Sequence, residues 1–191
     1  MDIKEINPNL QSNENPEKPN NANPRIQRVL SMLLDHVVMT IVIVPLGLLI
    51  FGLIYQFEES LNQIIGIGLV FFPMFIYLNK DFFRAKSLAK RFIGYQIVDI
   101  KTKEPASELQ CFIRNLTLPV WPLEVIVGLI NPERRMGDFI ANTKVITSKK
   151  EALKSIWVDS KNIRLKPNFI GILILGAVYF YGLSLLLFEM Q

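Results

Sequence analysis

The sequence predicts an all-α membrane protein: three transmembrane helices, a short re-entrant or interfacial helix, and a small cytoplasmic strand pair. Three observations lead there. Half of the 191 residues are hydrophobic and only 20% are charged, with a mean hydropathy of +0.30. The apolar residues are gathered into uncharged runs of 21 residues at 37–57, 20 at 60–79 and 22 at 167–188. A hydrocarbon core about 30 Å thick takes roughly 20 helical residues to cross. Finally, the bases avoid these runs: four lie in 1–28, eight in 79–118 and nine in 131–167, which is all 21 Lys and Arg.

Residues 1–24 hold seven Asn and four Pro, too little apolar surface to offset their ordering entropy, so a disordered tail is expected. They lack the short apolar core directly after a basic start that a secretory signal needs. The first span runs from near Arg25 to Tyr55 with Pro45 inside it, which deprives the Ile41 carbonyl of its helical donor. The second covers 61–78 and carries Gly66, Gly68 and Pro73. Next, 78–91 is basic and amphipathic, with Phe82, Phe83, Leu88 and Phe92 among Lys80, Arg84, Lys86, Lys90 and Arg91, as in a helix along the headgroups. Tyr95 to Ile100 reads as a strand closed by a turn at 101–105, and Ser107 with Glu108 opens a helix through Arg114.

The segment 116–130 contains Pro119, Pro122 and Glu124 and is short for a span. Thr143 to Thr147 reads as a second strand. Within a basic amphipathic linker at 148–167, Leu153, Ile156 and Trp157 mark a turn, and an additional C-terminal span covers 168–188. Charge decides the topology. If 116–130 crossed the membrane, two heavily basic segments would face opposite sides, against the positive-inside tendency. If it dips in and returns, every base faces the cytoplasm, and Glu58, Glu59 and Glu189 face outside. The amino terminus is then inside, the carboxyl terminus outside, and both strands share one face. A kinked full span from near Phe112, with Arg114 snorkelling, is the alternative.

One cysteine, Cys111, and one histidine, His36, exclude an internal disulfide and a zinc cage. Metalloprotease, hydrolase and phosphate-loop motifs are absent. No enzyme, metal or cofactor is therefore expected. The pI of about 9.2 belongs to the membrane topology and does not imply nucleic acid. The basic–aromatic stretch beside a span suits anionic lipid headgroups.

Ionisable groups inside an apolar span need a partner or a polar pocket. Asp35 is the clearest case, two residues before the first uncharged run, with Arg28 seven positions earlier on the same helical face. One reading makes Asp35 a proton- or cation-binding carboxylate. The favoured one makes it half of a buried ion pair, with Arg28 and Arg134 or Arg135 sharing Asp35 and Asp138 in one network. His36 points about 100° away from Asp35 and reads as an interfacial side chain. Glu124 is a weaker candidate, expected at the headgroups beside Trp121 in preference to a buried pocket.

These pieces resemble the RDD family of bacterial membrane proteins, named for an arginine at the start of the first span, an aspartate within it and a further aspartate. Arg28 and Asp35 in RVLSMLLD match the first two, and Asp138 in RRMGDFIANT matches the third. Residues 85–98 resemble the family's G-x-T-x-G-K-R-x-x-G-x-x-V-V stretch, and Arg114-Asn115 its R-N. The motifs span 25–147, leaving the tail and the last span outside. Ala85 and Ala89 stand where the family tends to have glycine, which suggests helical backbone in 82–91. Asn142 replaces the glycine before Thr143 and can still adopt a left-handed conformation. The resemblance implies a multi-pass protein of the bacterial cytoplasmic (inner) membrane that transports small ligands, with cation/proton exchange proposed for some members. Three spans enclose little volume, so transport implies a homo-oligomer or a membrane-complex subunit, and no inverted repeat is visible. The alternative function is a non-catalytic scaffold or accessory subunit that binds anionic lipid or a partner protein through its basic face.

Overall fold

The computed structural model describes residues 24–57, 61–131, 133–152, 154–161 and 167–188. The expected tail up to residue 23, and Glu58, Glu59, Leu153 and Glu189, lie outside the described residues. The chain is mostly helical. In order it forms α1 (Pro24–Gln56), α2 (Gln63–Leu78), α3 (Leu88–Ile93), β1 (Tyr95–Asp99), α4 (Glu108–Asn115), α5 (Trp121–Ile130), α6 (Met136–Ala141), β2 (Thr143–Thr147), α7 (Lys154–Lys161) and α8 (Asn168–Phe188). A single 3₁₀ turn, Leu118–Val120, separates α4 from α5.

Among the described residues two helices, α1 and α8, are long and apolar enough to cross a membrane. The pair α4 and α5, bent by 43° at its break, would make a third if it were one span. At 16 residues α2 is only about 24 Å long, somewhat less than the hydrocarbon thickness. Both α1 and α8 present large apolar side chains outward along their length, such as Ile41, Leu48, Ile174 and Val178.

The polar layer against these helices is organised by the strand pair. β1 and β2 are antiparallel, with Tyr95 opposite Thr147 and Asp99 opposite Thr143. Ile97 and Val145 face a core shared with Tyr95, Ala106 and Cys111. The α4–α5 excursion therefore leaves the sheet after β1 and comes back to it at β2. Its return is fixed by the Val145 amide, which donates to the Glu133 carbonyl at 3.0 Å. α4 starts at a capping box in which Ser107 and Gln110 satisfy each other's backbone amides. Its far side inserts Phe112 between Leu78 of α2 and Ile172 of α8. Three apolar helices thus meet the layer by one end each: α1 near Gln27, which accepts from the Tyr95 hydroxyl, α2 at Leu78, and α8 at Gly171, against Leu109.

The stretch 78–91 is not the continuous amphipathic helix that its residues suggest. Residues 79–85 are turns, and helix resumes only after the Ser87 cap. Arg84 and Ala85 sit at φ 55° and 56°, so the helical backbone expected over 82–91 fails around Ala85, while Ala89 lies in α3 as expected. The reason is tertiary. The Ala85 carbonyl accepts from the Ile97 amide at 3.1 Å, and Ala85 is packed into the sheet core. Asn142 adopts φ 55°, ψ 44°, the left-handed cap its side chain tolerates.

Gly137 marks the closest approach in the layer. A Cβ there would lie 1.8 Å from the Arg114 carbonyl oxygen and 2.9 Å from the Thr117 hydroxyl. Gly137→Ala is expected to cost more than about 3 kcal/mol, above the usual penalty for overpacking, because backbone must move. Thermal unfolding in detergent checks it.

Candidate functional site

The layer is held by charges removed from water. Asp35, on the inward face of α1, accepts from Lys90 Nζ at 2.5 Å and from the Ser87 hydroxyl. Ser87 also caps α3, which sets Lys90 one turn inside that helix. Lys90 reaches on to Asp81 at 2.9 Å. Asp81 in turn accepts from Asn115 Nδ2 at 3.2 Å and lies 3.9 Å from Arg114. One ammonium is therefore shared between two buried carboxylates.

Asp138 forms the second centre. Arg114 Nε lies 2.9 Å away, Arg28 3.5 Å and Arg135 Nε 3.9 Å. The Thr143 hydroxyl at 2.8 Å and the Arg135 amide at 3.1 Å complete its acceptor sites. Arg135 extends the chain to Glu124 at 3.0 Å, whose other oxygen accepts from the Thr117 hydroxyl and the Gly137 amide. Asn115 ties the two centres together, accepting from Arg135 at 2.5 Å while donating to Asp81. All eight charged groups are nearly inaccessible to solvent.

The electrostatics follow from this packing. Burial alone would raise the Asp81 and Asp138 carboxyls. The adjacent Lys90 and Arg114 outweigh it at Asp81, as do Arg114, Arg135 and Arg28 at Asp138, so both are held below the usual carboxylate range. Lys80 lacks such compensation: burial pulls its ammonium down to about 8, only partly opposed by Asp35. Lys80 lies over the Tyr77 ring at 4.7 Å. Tyr77 also meets His36, its hydroxyl 3.0 Å from Nδ1, and His36 stacks on Trp121.

Among the sequence candidates, Arg28, Arg135 and Asp138 come together, but Asp35 does not join them. It pairs with a lysine, because the Ser87 cap delivers Lys90 to it. Arg134 also stands aside. Its guanidinium covers the Phe139 ring at 4.1 Å and touches only the backbone carbonyl of Asp138. Glu124 is buried and fully partnered instead of lying at the headgroups, because the 3₁₀ turn and α6 bring Thr117, Gly137 and Arg135 onto it. Single-residue reasoning missed Asp81, Ser87, Lys90, Arg114 and Asn115. A signal existed for Asp81, the one acid among five bases in 79–98. The other four lie in the motif stretches at 85–98 and 114–115.

A second cluster joins α3 to the segment before α8. Arg91 binds Glu151 at 2.6 Å and Asp159 at 2.7 Å, and Lys86 binds Glu151 at 2.6 Å. Among the described residues, no group of His, Cys, Asp and Glu side chains could hold a metal ion.

Apolar helices anchored in a buried charge network define a helical integral membrane protein. The family model for the RDD family matches residues 23–189, so the chain belongs to that family. The match continues through α8, beyond the 25–147 stretch that holds the motifs. No curated protein and no solved structure matches the chain.

Because Lys90 neutralises two carboxylates, Lys90→Met is expected to destabilise by about 3–5 kcal/mol, more than Asp35→Asn. Asp35→Asn added to Lys90→Met should cost at least about 1 kcal/mol less than Asp35→Asn alone. Thermal or detergent unfolding of the double-mutant cycle measures this coupling. Additive losses would show that the pair is not coupled.

Proposed function

We propose that α1, α2 and α8 cross the bacterial cytoplasmic membrane, that α4 and α5 dip in and return, and that the protein, in an oligomer or larger membrane complex, moves a small ion or solute. The orientation puts the amino terminus and all 21 bases inside and the carboxyl terminus outside. It is supported by the pairing of β1 with β2, which brings the start and the return of the α4–α5 excursion to one layer. It is also supported by α5 itself, whose 10 residues reach about 15 Å, half a hydrocarbon core. Reporter fusions and cysteine accessibility at 101–105 and at Lys150 are expected to read cytoplasmic. A Lys150 fusion reading outside would favour α4 and α5 as one kinked span.

The observation that carries transport is the Lys90 ammonium shared by Asp35 and Asp81 at the inner end of α1. A proton or sodium ion gains the Asp35 carboxylate only when Lys90 withdraws onto Asp81. Asp35 can therefore face either Lys90 or an external cation, and a bound cation biases the second arrangement. Proteoliposomes containing only this protein should show sodium- or proton-driven flux. Asp35→Asn, nearly isosteric and neutral, should abolish that flux in folded protein.

The second reading is a non-catalytic scaffold or accessory subunit. It is favoured by the closure of the network, in which each of the four carboxylates already has a cation. A protein silent in flux that co-purifies with a fixed partner supports that reading.

A further inference from the structure

Five cations sit in or beside the network, Arg28, Lys80, Lys90, Arg114 and Arg135, against four carboxylates, Asp35, Asp81, Glu124 and Asp138. Among the described residues, Lys80 is the member of the five with no carboxylate at ion-pairing distance; it lies over the Tyr77 ring, and Asp35 is the foremost carboxylate acting on it from farther off. Lys80 is half-buried, and a counter-anion relieves a surplus positive charge held partly out of water.

A place for that anion exists. Lys80 lines a cavity of about 30 Å³ with Tyr77, His36, Trp121, Glu124 and Arg135. That volume holds one or two waters or the oxygens at one end of an anion. Glu124 does not compete for Lys80, because its oxygens are committed to Arg135, Thr117 and the Gly137 amide. Tyr77 can turn toward an anion. With the His36 proton on Nδ1, that nitrogen donates to the Tyr77 oxygen and the phenolic O–H is left to donate into the cavity. The remaining wall is apolar, Met32 and Leu33 of α1 and Val125 of α5. Leu33 and Trp121 at its edge are exposed on the faces these helices turn to the bilayer.

We propose that this cavity is a phosphate site for the headgroup of an anionic phospholipid, with Lys80 as its principal ligand and the Tyr77 hydroxyl as its second donor. The acyl chains lie outside, along the groove between α1 and α5. The lowered affinity of Lys80 for its proton is what an ammonium awaiting its counter-ion shows, and an occupied site raises it again. The proposal rests on the membrane orientation and is independent of transport; the Lys150 fusion tests that orientation separately.

The test uses the full chain, delipidated in a neutral detergent, with lipid binding read by native mass spectrometry and by thermal shift. Phosphatidylglycerol is expected to bind and raise the melting temperature, while phosphatidylcholine does so weakly. Lys80→Gln should weaken phosphatidylglycerol binding about tenfold, the scale of one charge-assisted hydrogen bond, without lowering stability in phosphatidylcholine. Lys80→Arg should retain binding, and Tyr77→Phe should weaken it less than Lys80→Gln. Arg84→Ala, at an exposed arginine outside the cavity, should leave it intact. Inorganic phosphate alone giving the same Lys80-dependent shift would keep the anion site and overturn its lipid occupant. Equal phosphatidylglycerol binding by wild type and Lys80→Gln would overturn the site. If Lys80→Gln does not fold, loss of binding in Lys80→Arg would overturn it as well.

Discussion

Asp138 is the point on which the arrangement depends. It is a carboxylate with no solvent exposure, and arginines from α1, α4 and the turn before α6 all reach it. Each of those arginines is itself withdrawn from water, so none can lose this partner without a penalty of several kcal/mol per uncompensated ion. The same carboxylate takes the Thr143 hydroxyl at the start of β2 and the Arg135 amide that begins α6. One side chain thereby fixes the ends of four elements relative to each other. A network of this kind is weak evidence of net stability, because its attractions largely repay desolvation. Its physical effect is selection: any other register of these elements strands a charge.

The consequence is clearest on α1. In its first half the buried residues Arg28, Ser31, Asp35 and Met39 recur every three or four positions, the spacing by which a soluble helix would display an apolar stripe. Here the first three are polar. The outward faces are the greasy ones, so the usual pattern is inverted. Rotation of α1 is then set by two ionic contacts about 10 Å apart along its axis, Arg28 with Asp138 and Asp35 with Lys90. Dispersion against lipid is nearly the same for every rotation of an apolar helix. Only the charged face distinguishes them.

Much of this was legible in local sequence. The strand at Thr143–Thr147, the cap at Ser107 and the left-handed Asn142 depend on neighbours within a few residues, and simple stereochemistry finds them. The long apolar runs and the absence of bases from them likewise announce a membrane protein. What could not be read was who meets whom. Asp35 and Lys90 are 55 residues apart, and no periodicity links them. Lys90 looked like one more headgroup-facing base, until the turn at Arg84 and Ala85 folded α3 back onto α1. Glu124 looked interfacial because its partners come from a 3₁₀ turn and from a loop on the far side of α5. Ala85 misled in the opposite sense, since the hydrogen bond to β1 and burial in the sheet core together outweigh an intrinsic preference worth about 1–2 kcal/mol.

The wide spacing of these partners has a consequence for biogenesis. α1 leaves the ribosome carrying Arg28 and Asp35, while Lys90 follows 55 residues after Asp35 and Asp138 later still. At about 5–20 residues per second, the first helix waits roughly 3–11 s before Lys90 is made. During that interval its charged end has no protein partner, only water and headgroups at the membrane surface. The charged face of α1 is balanced only once the second half of the chain supplies the counter-charges, so a nascent chain that ends before Asp138 leaves Arg28 without its carboxylate.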